Sequence, residues 1–166
     1  MTEQNKGNGG AAAADEQNLP QFNVLGQYTK DLSFENPNAP EILRQQIANA
    51  NLKINPEVII NTLDDDVYEV ALSIGASVEC DQGLLYNIEL VYAGIFRLKN
   101  LPEDALQPVL HIQCPSLLFP FVRRQLADLT QEGGFPPLFL DPIDFATLYR
   151  HQLQAKQHAV SANQNQ

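Results

Sequence analysis

The chain has 166 residues, with 20 acids against 10 bases, a formal net charge of −10 and 44% apolar side chains. That length fits one compact domain with a sizeable core, and the charge balance excludes a surface built to hold phosphate backbones, so no nucleic-acid partner is expected. The first ten residues carry no apolar stretch of the secretory kind. No apolar run approaches the ~20 residues of a membrane span, so the sequence predicts a cytoplasmic protein without direct membrane insertion.

Residues 1–19 are rich in Gly, Ala, Asn and Gln. They hold too little apolar surface to offset ordering entropy, which predicts a disordered N-terminal tail. The main domain is predicted over 20–155, followed by a flexible tail over 156–166. From Phe22 to Glu35, apolar residues Phe22, Val24, Tyr28, Leu32 and Phe34 alternate with polar ones, the period of a half-buried strand. Residues 52–63 form a second candidate, interrupted by Pro56. Val67–Cys80 is the clearest, with Tyr68, Val70, Leu72, Ile74, Ala76 and Val78 on one side and Glu69, Ser73, Ser77 and Glu79 on the other. Leu84–Leu98 repeats the pattern. Asp64-Asp65-Asp66 and the Gly83-containing turn after Cys80 are short enough to join antiparallel neighbours.

Pro102, Pro108 and Pro115 mark 98–116 as a connector. A helix is predicted from an N-cap at Ser116, with Pro120 in its first turn, ending at Gly133-Gly134. A second is predicted from Asp141 as N-cap with Pro142 at the first helical position. Strands followed by helices give an α+β fold, a four-stranded antiparallel sheet with helices packed on one face. Cys80 and Cys114 both sit in apolar surroundings and are expected as buried, reduced thiols.

The sequence offers no catalytic constellation. His111 and Cys114 lie three apart, but no second ligand pair completes a zinc set. No phosphate loop, nucleophile elbow or metalloprotease motif occurs, so neither enzyme activity nor a metal or cofactor is expected. What stands out is charge. Between Asp31 and Leu90 there are eleven acids against only Arg44 and Lys53. Strand alternation puts Asp31, Glu35, Asn87 and Glu89 on the polar side of their strands, where solvent or a basic partner must meet them. The apolar stripe Ile88, Leu90 and Tyr92 on the opposite side suggests surface left over for self-assembly, an oligomer interface.

The block Tyr28-Thr29-Lys30-Asp31-Leu32-Ser33-Phe34-Glu35-Asn36-Pro37-Asn38-Ala39-Pro40 resembles the N-terminal signature of the SecB family of bacterial protein-export chaperones. Asp65-Asp66-Val67-Tyr68-Glu69-Val70, Gly94-Ile95-Phe96, the Cys114-Pro115 to Pro120 segment and the Phe135-Pro136 to Phe145 segment are similar to further blocks of that family, in order, over about residues 22 to 153. The resemblance implies the sheet-plus-helices fold and an ATP-independent holdase that binds unfolded precursor proteins in the cytosol. It implies delivery of those precursors to the SecA motor ATPase by a homotetramer arranged as a dimer of dimers. The family's motor-binding positions fall on Asp31, Glu35, Asn87 and Glu89; Asn87 departs from the apolar residue of the pattern. Its client groove would lie between the loop carrying Ile42, Leu43 and Ile47 and the last helix, with Phe145, Leu148 and Tyr149. A SecB-like chaperone dedicated to one partner, as in a toxin–antitoxin system, is the neighbouring alternative.

Overall fold

The computed structural model describes residues 18–163, with side chains through Gln157. Most of the expected N-terminal tail, residues 1–17, and the last residues, 164–166, lie outside the described residues. Four strands form one antiparallel sheet: β1 (Gln21–Glu35), β2 (Asn51–Asp64), β3 (Val67–Cys80) and β4 (Gly83–Lys99). Their spatial order is β1-β4-β3-β2, so the central pair is the β3–β4 hairpin. Two-residue loops close both hairpins, Asp65–Asp66 between Asp64 and Val67 and Asp81–Gln82 between Cys80 and Gly83. Asp66 takes the left-handed conformation (φ 57°), which Asp tolerates through its short polar side chain, whereas at the other hairpin the positive φ falls on Gly83 (122°).

Alternation holds through β3 and, beyond a bulge that leaves Leu85 unpaired, through β4, but not through β1. Register shifts between Val24 and Gly26 and between Thr29 and Asp31 leave Leu25 and Lys30 as extra residues. Each bulge turns the following residues to the other face of the sheet. Tyr28, expected on the apolar side, therefore points to the polar face, where its hydroxyl donates to Glu69. Thr29 turns to the helical side and bonds Gln125 (3.1 Å).

The helical half begins earlier than the sequence suggested. Helix runs without a break over Glu103–Glu132: α1 (Glu103–Pro108), a π turn (Val109–Gln113) and α2 (Cys114–Glu132). The prolines read as a connector are built into it. Pro102 is the N-cap, and Pro108, lacking an N–H, sits where the α ladder gives way to the π turn. Pro115 falls in the first turn of α2 and Pro120 inside it, not in a first turn. Ser116 caps nothing; its hydroxyl bonds back to the Ile112 carbonyl. One 18-residue window of the long helix reaches a mean hydropathy of 1.2, enough by length and composition to cross a membrane, a test that the core helix of a globular domain also passes. Its apolar stripe, Leu110, Leu118, Val122 and Leu126, is buried, and α2 packs on β3 and β4 as a core helix.

The last helix, α3, spans Phe145–Asn163, so the backbone beyond residue 155 continues as helix. Its cap is Asp144 rather than Asp141. The Asp144 carboxylate accepts from the Thr147 N–H (3.0 Å) and hydroxyl (2.8 Å), bonds that hold the acid below its usual range. Both cysteines are free. Cys114 is buried, which pushes its thiol up to about 12, while Cys80 is only half-buried.

Candidate functional site: an acidic sheet face and an apolar groove

The sheet has one face covered by α2 and one without a helix. Residues paired across antiparallel strands point the same way. On the uncovered face β1 pairs Asp31 with Val91, Ser33 with Glu89 and Glu35 with Asn87. β3 continues the rows, with Gly75 opposite Glu89 and Ser77 opposite Asn87. The register thus brings together all four polar residues picked out by alternation. Asp31, Glu35 and Glu89 are exposed and Asn87 is half-buried. Gly75 matters here: a β-carbon at that position would come within 3.3 Å of the Glu89 carboxylate, so glycine lets the acid lie across β3. A hollow of about 190 Å³ opens beside it, with Lys53, Asn55 and Asn87 on its walls.

Farther along this face sits a carboxylate that sequence reasoning treated as ordinary wet surface. Glu69 is buried (6% exposed). It accepts from the Tyr28 hydroxyl, from Lys30 Nζ (2.6 Å) and from Asn61 Nδ2 (3.0 Å). The bonds from Lys30 and Tyr28 outweigh the cost of burial and lower its pKa from 4.5 to about 2.

An apolar groove of about 250 Å³ lies at the other face, at the hairpin end of the sheet. Ile47 from the loop after β1, Val78 from β3, Leu85 and Tyr86 from β4, and Phe135 and Pro136 after α2 line it. Three rings back it: Phe34 stacks on Tyr86 (5.9 Å), and Tyr86 tilts against Phe135 (5.0 Å). Of the six residues expected to form a client groove, only Ile47 is here. Ile42 is in the core, and Leu43 lies against Gly134 at the end of α2. Phe145 is buried against Phe119, Leu148 packs on the core, and Tyr149 stacks on His111 (4.5 Å). Phe119 and Gly133 are 14 residues apart on one helix, or roughly 21 Å. The structure therefore separates the loop set from the helix set instead of closing one groove between them.

The stripe expected as an oligomer interface is also elsewhere than supposed. Ile88 and Leu90 have no exposed surface and Tyr92 has 8%, because α2 of the same protomer covers them. They are core residues and offer a second copy almost nothing to touch. Exposed apolar side chains on the helical layer include Phe121 and Phe139; the Arg123 guanidinium lies 5.1 Å over the Phe139 ring. His111, weighed above as a ligand, instead bonds the Gln107 carbonyl through Nδ1 (2.9 Å).

Comparison with known proteins gives this geometry a family. The family model described as preprotein translocase subunit SecB matches residues 15–156. The protein-export protein SecB of Bartonella bacilliformis is 49% identical over 138 residues, covering 83% of this chain and 87% of that protein. That of Zymomonas mobilis is 49% identical over 144 residues, with 87% of each covered. Among solved structures, a Mycobacterium tuberculosis SecB-like chaperone in complex with an antitoxin peptide aligns with a TM-score of 0.61. That alignment covers 74% of this chain and 91% of the other at 15% identity, a likeness of fold. The chain belongs to the SecB family of protein-export proteins.

Proposed function

We propose that the protein is a nucleotide-independent holdase that binds unfolded precursor polypeptides in the cytosol, keeps them competent for translocation and delivers them to the SecA motor ATPase. The observation that carries this reading is the division of labour between two faces of the same hairpin. Tyr86 and Val78 point into an apolar groove, while Asn87, Ser77 and Glu89 point to the opposite, acidic face. An apolar groove with few fixed polar contacts suits many partners, because burial of side chains is non-directional. Each large client side chain sheltered there contributes about 1.5–3 kcal/mol before ordering costs. Asp31, Glu35, Asn87 and Glu89 form the docking face for a basic surface of the motor. Self-assembly into a homotetramer, a dimer of dimers, uses exposed apolar residues of the helical layer, Phe121 and Phe139 among them.

The test is suppression of aggregation of several unrelated unfolded proteins without nucleotide. The wild-type protein should protect them all, and Ile47→Asp, which puts a charge in the groove at a site already 36% exposed, should protect them poorly. Protection of a single client only would favour the dedicated chaperone. Undiminished protection by a folded Ile47→Asp would place client binding outside this groove.

A further inference from the structure

Glu69 is the one charged residue buried among the described residues, and it spans three strands. It stands on β3 and pairs with Asn61 of β2, which donates to it; Tyr28 and Lys30 reach it from β1, on the far side of β4. Lys30 is the extra residue of the second β1 bulge, between Thr29, paired with Tyr92, and Asp31, paired with Val91. Without that bulge the strand would alternate strictly from Tyr28 onward. Tyr28 points to the uncovered face, so Asp31, Ser33 and Glu35 would then turn toward the helices and Leu32 and Phe34 outward. The bulge reverses this, and its residue is anchored to a buried carboxylate two strands away.

We propose that Glu69, acting through Lys30, is the positioning residue that turns Asp31 and Glu35 onto the docking face. This rests on the reading of that face as the surface for a basic partner. Glu69 itself is too buried to touch such a partner. Lys30 is 45% exposed at its side chain, but its own charge has the wrong sign for one. The two roles make opposite forecasts. If Lys30 matters only as a surface charge, replacing it makes the face more acidic and strengthens binding of a basic surface. If it holds the bulge, the same replacement weakens binding.

The experiment measures the affinity of the full-length protein for purified SecA motor ATPase, aggregation suppression on the same samples, and amide hydrogen exchange over residues 31–35. The variants are Lys30→Met, Lys30→Arg, and the double Lys30→Met/Glu69→Met, which leaves no buried carboxylate unpaired and so guards against simple misfolding. Expected are a several-fold loss of affinity in Lys30→Met and in the double variant, and recovery in Lys30→Arg. Exchange over 31–35 should be faster in the first two, with client protection unchanged. Unchanged or tighter binding by both Met-bearing proteins overturns the proposal. Glu89→Lys separates it from the reading beneath it. If Glu89→Lys weakens binding and Lys30→Met does not, the positioning role is wrong; if Glu89→Lys has no effect either, the docking face itself is misplaced.

Discussion

Glu69 also makes a quantitative claim about stability. Its carboxyl titrates near 2 in the folded chain against 4.5 ordinarily, so the folded state favours its charged form. At about 1.4 kcal/mol per unit, the difference amounts to about 3 kcal/mol, an upper figure because unfolded chains retain some structure. The pKa is depressed on folding, so the contribution is fully present above the unfolded value of 4.5. It is lost as pH falls toward about 2. Glu69→Gln keeps the shape and one acceptor oxygen but not the charge facing Lys30. Urea unfolding of both proteins between pH 7 and pH 2.5 isolates the effect, since the other carboxylates are common to both. The stability gap should approach about 3 kcal/mol at pH 7 and shrink to less than half of that near pH 3. A gap independent of pH would mean that the charge of Glu69 does no stabilising work and that only its packing matters.

Three further outcomes follow from contacts elsewhere. A methyl at Gly133 would fall 2.7 Å from Phe34 Cε1 and drive the ring off Tyr86; Gly133→Ala should destabilise by about 1–3 kcal/mol in thermal unfolding and weaken client binding at the adjoining groove. The buried Thr130 hydroxyl accepts from the Leu138 N–H (2.9 Å) and donates to the Leu126 carbonyl (2.9 Å); Thr130→Val should cost about 1–3 kcal/mol in the same assay by stranding that N–H. Leu90 is fully buried beneath α2, so Leu90→Ala should lower stability by about 2–5 kcal/mol, read by urea unfolding, rather than split an assembly of folded protomers.

The sheet was legible in the sequence where geometry is regular. β3, and β4 beyond Leu85, alternate cleanly because α2 covers one face and the other carries no helix, so the large apolar residues gather on the covered side. β1 misled at Tyr28 because a bulge adds one residue without any compositional mark, and only the pairing with β4 reveals it. The same cause hid Leu85. The shift between Val78 and Glu79 leaves it unpaired, and it turns into the groove from an odd-numbered position. Asp31, Glu35, Asn87 and Glu89 share one face, as alternation suggested, because the first two lie beyond the second bulge of β1 and the others on the regular part of β4. The helix start was missed because prolines were read as breakers, whereas Pro102 initiates the helix and Pro108 and Pro115 lie on either side of its π turn. The apolar groove was not legible because its walls come from two loops and a sheet end. Their proximity depends on how the segment after Gly134 folds back, which periodicity does not encode.

The central claim is that holding and docking use separate surfaces on opposite faces of one hairpin. The measurement that bears on it most directly is Glu89→Lys, assayed in one preparation for motor affinity at low and high salt and for suppression of client aggregation. Glu89 is exposed and its replacement disturbs no core contact, so a folded protein is expected. Reversing its charge should weaken motor binding most at low salt, where an acidic face attracts a basic one over about 10 Å or more, and should leave client protection intact. Loss of both activities in a folded assembly, or loss of neither, would contradict the account.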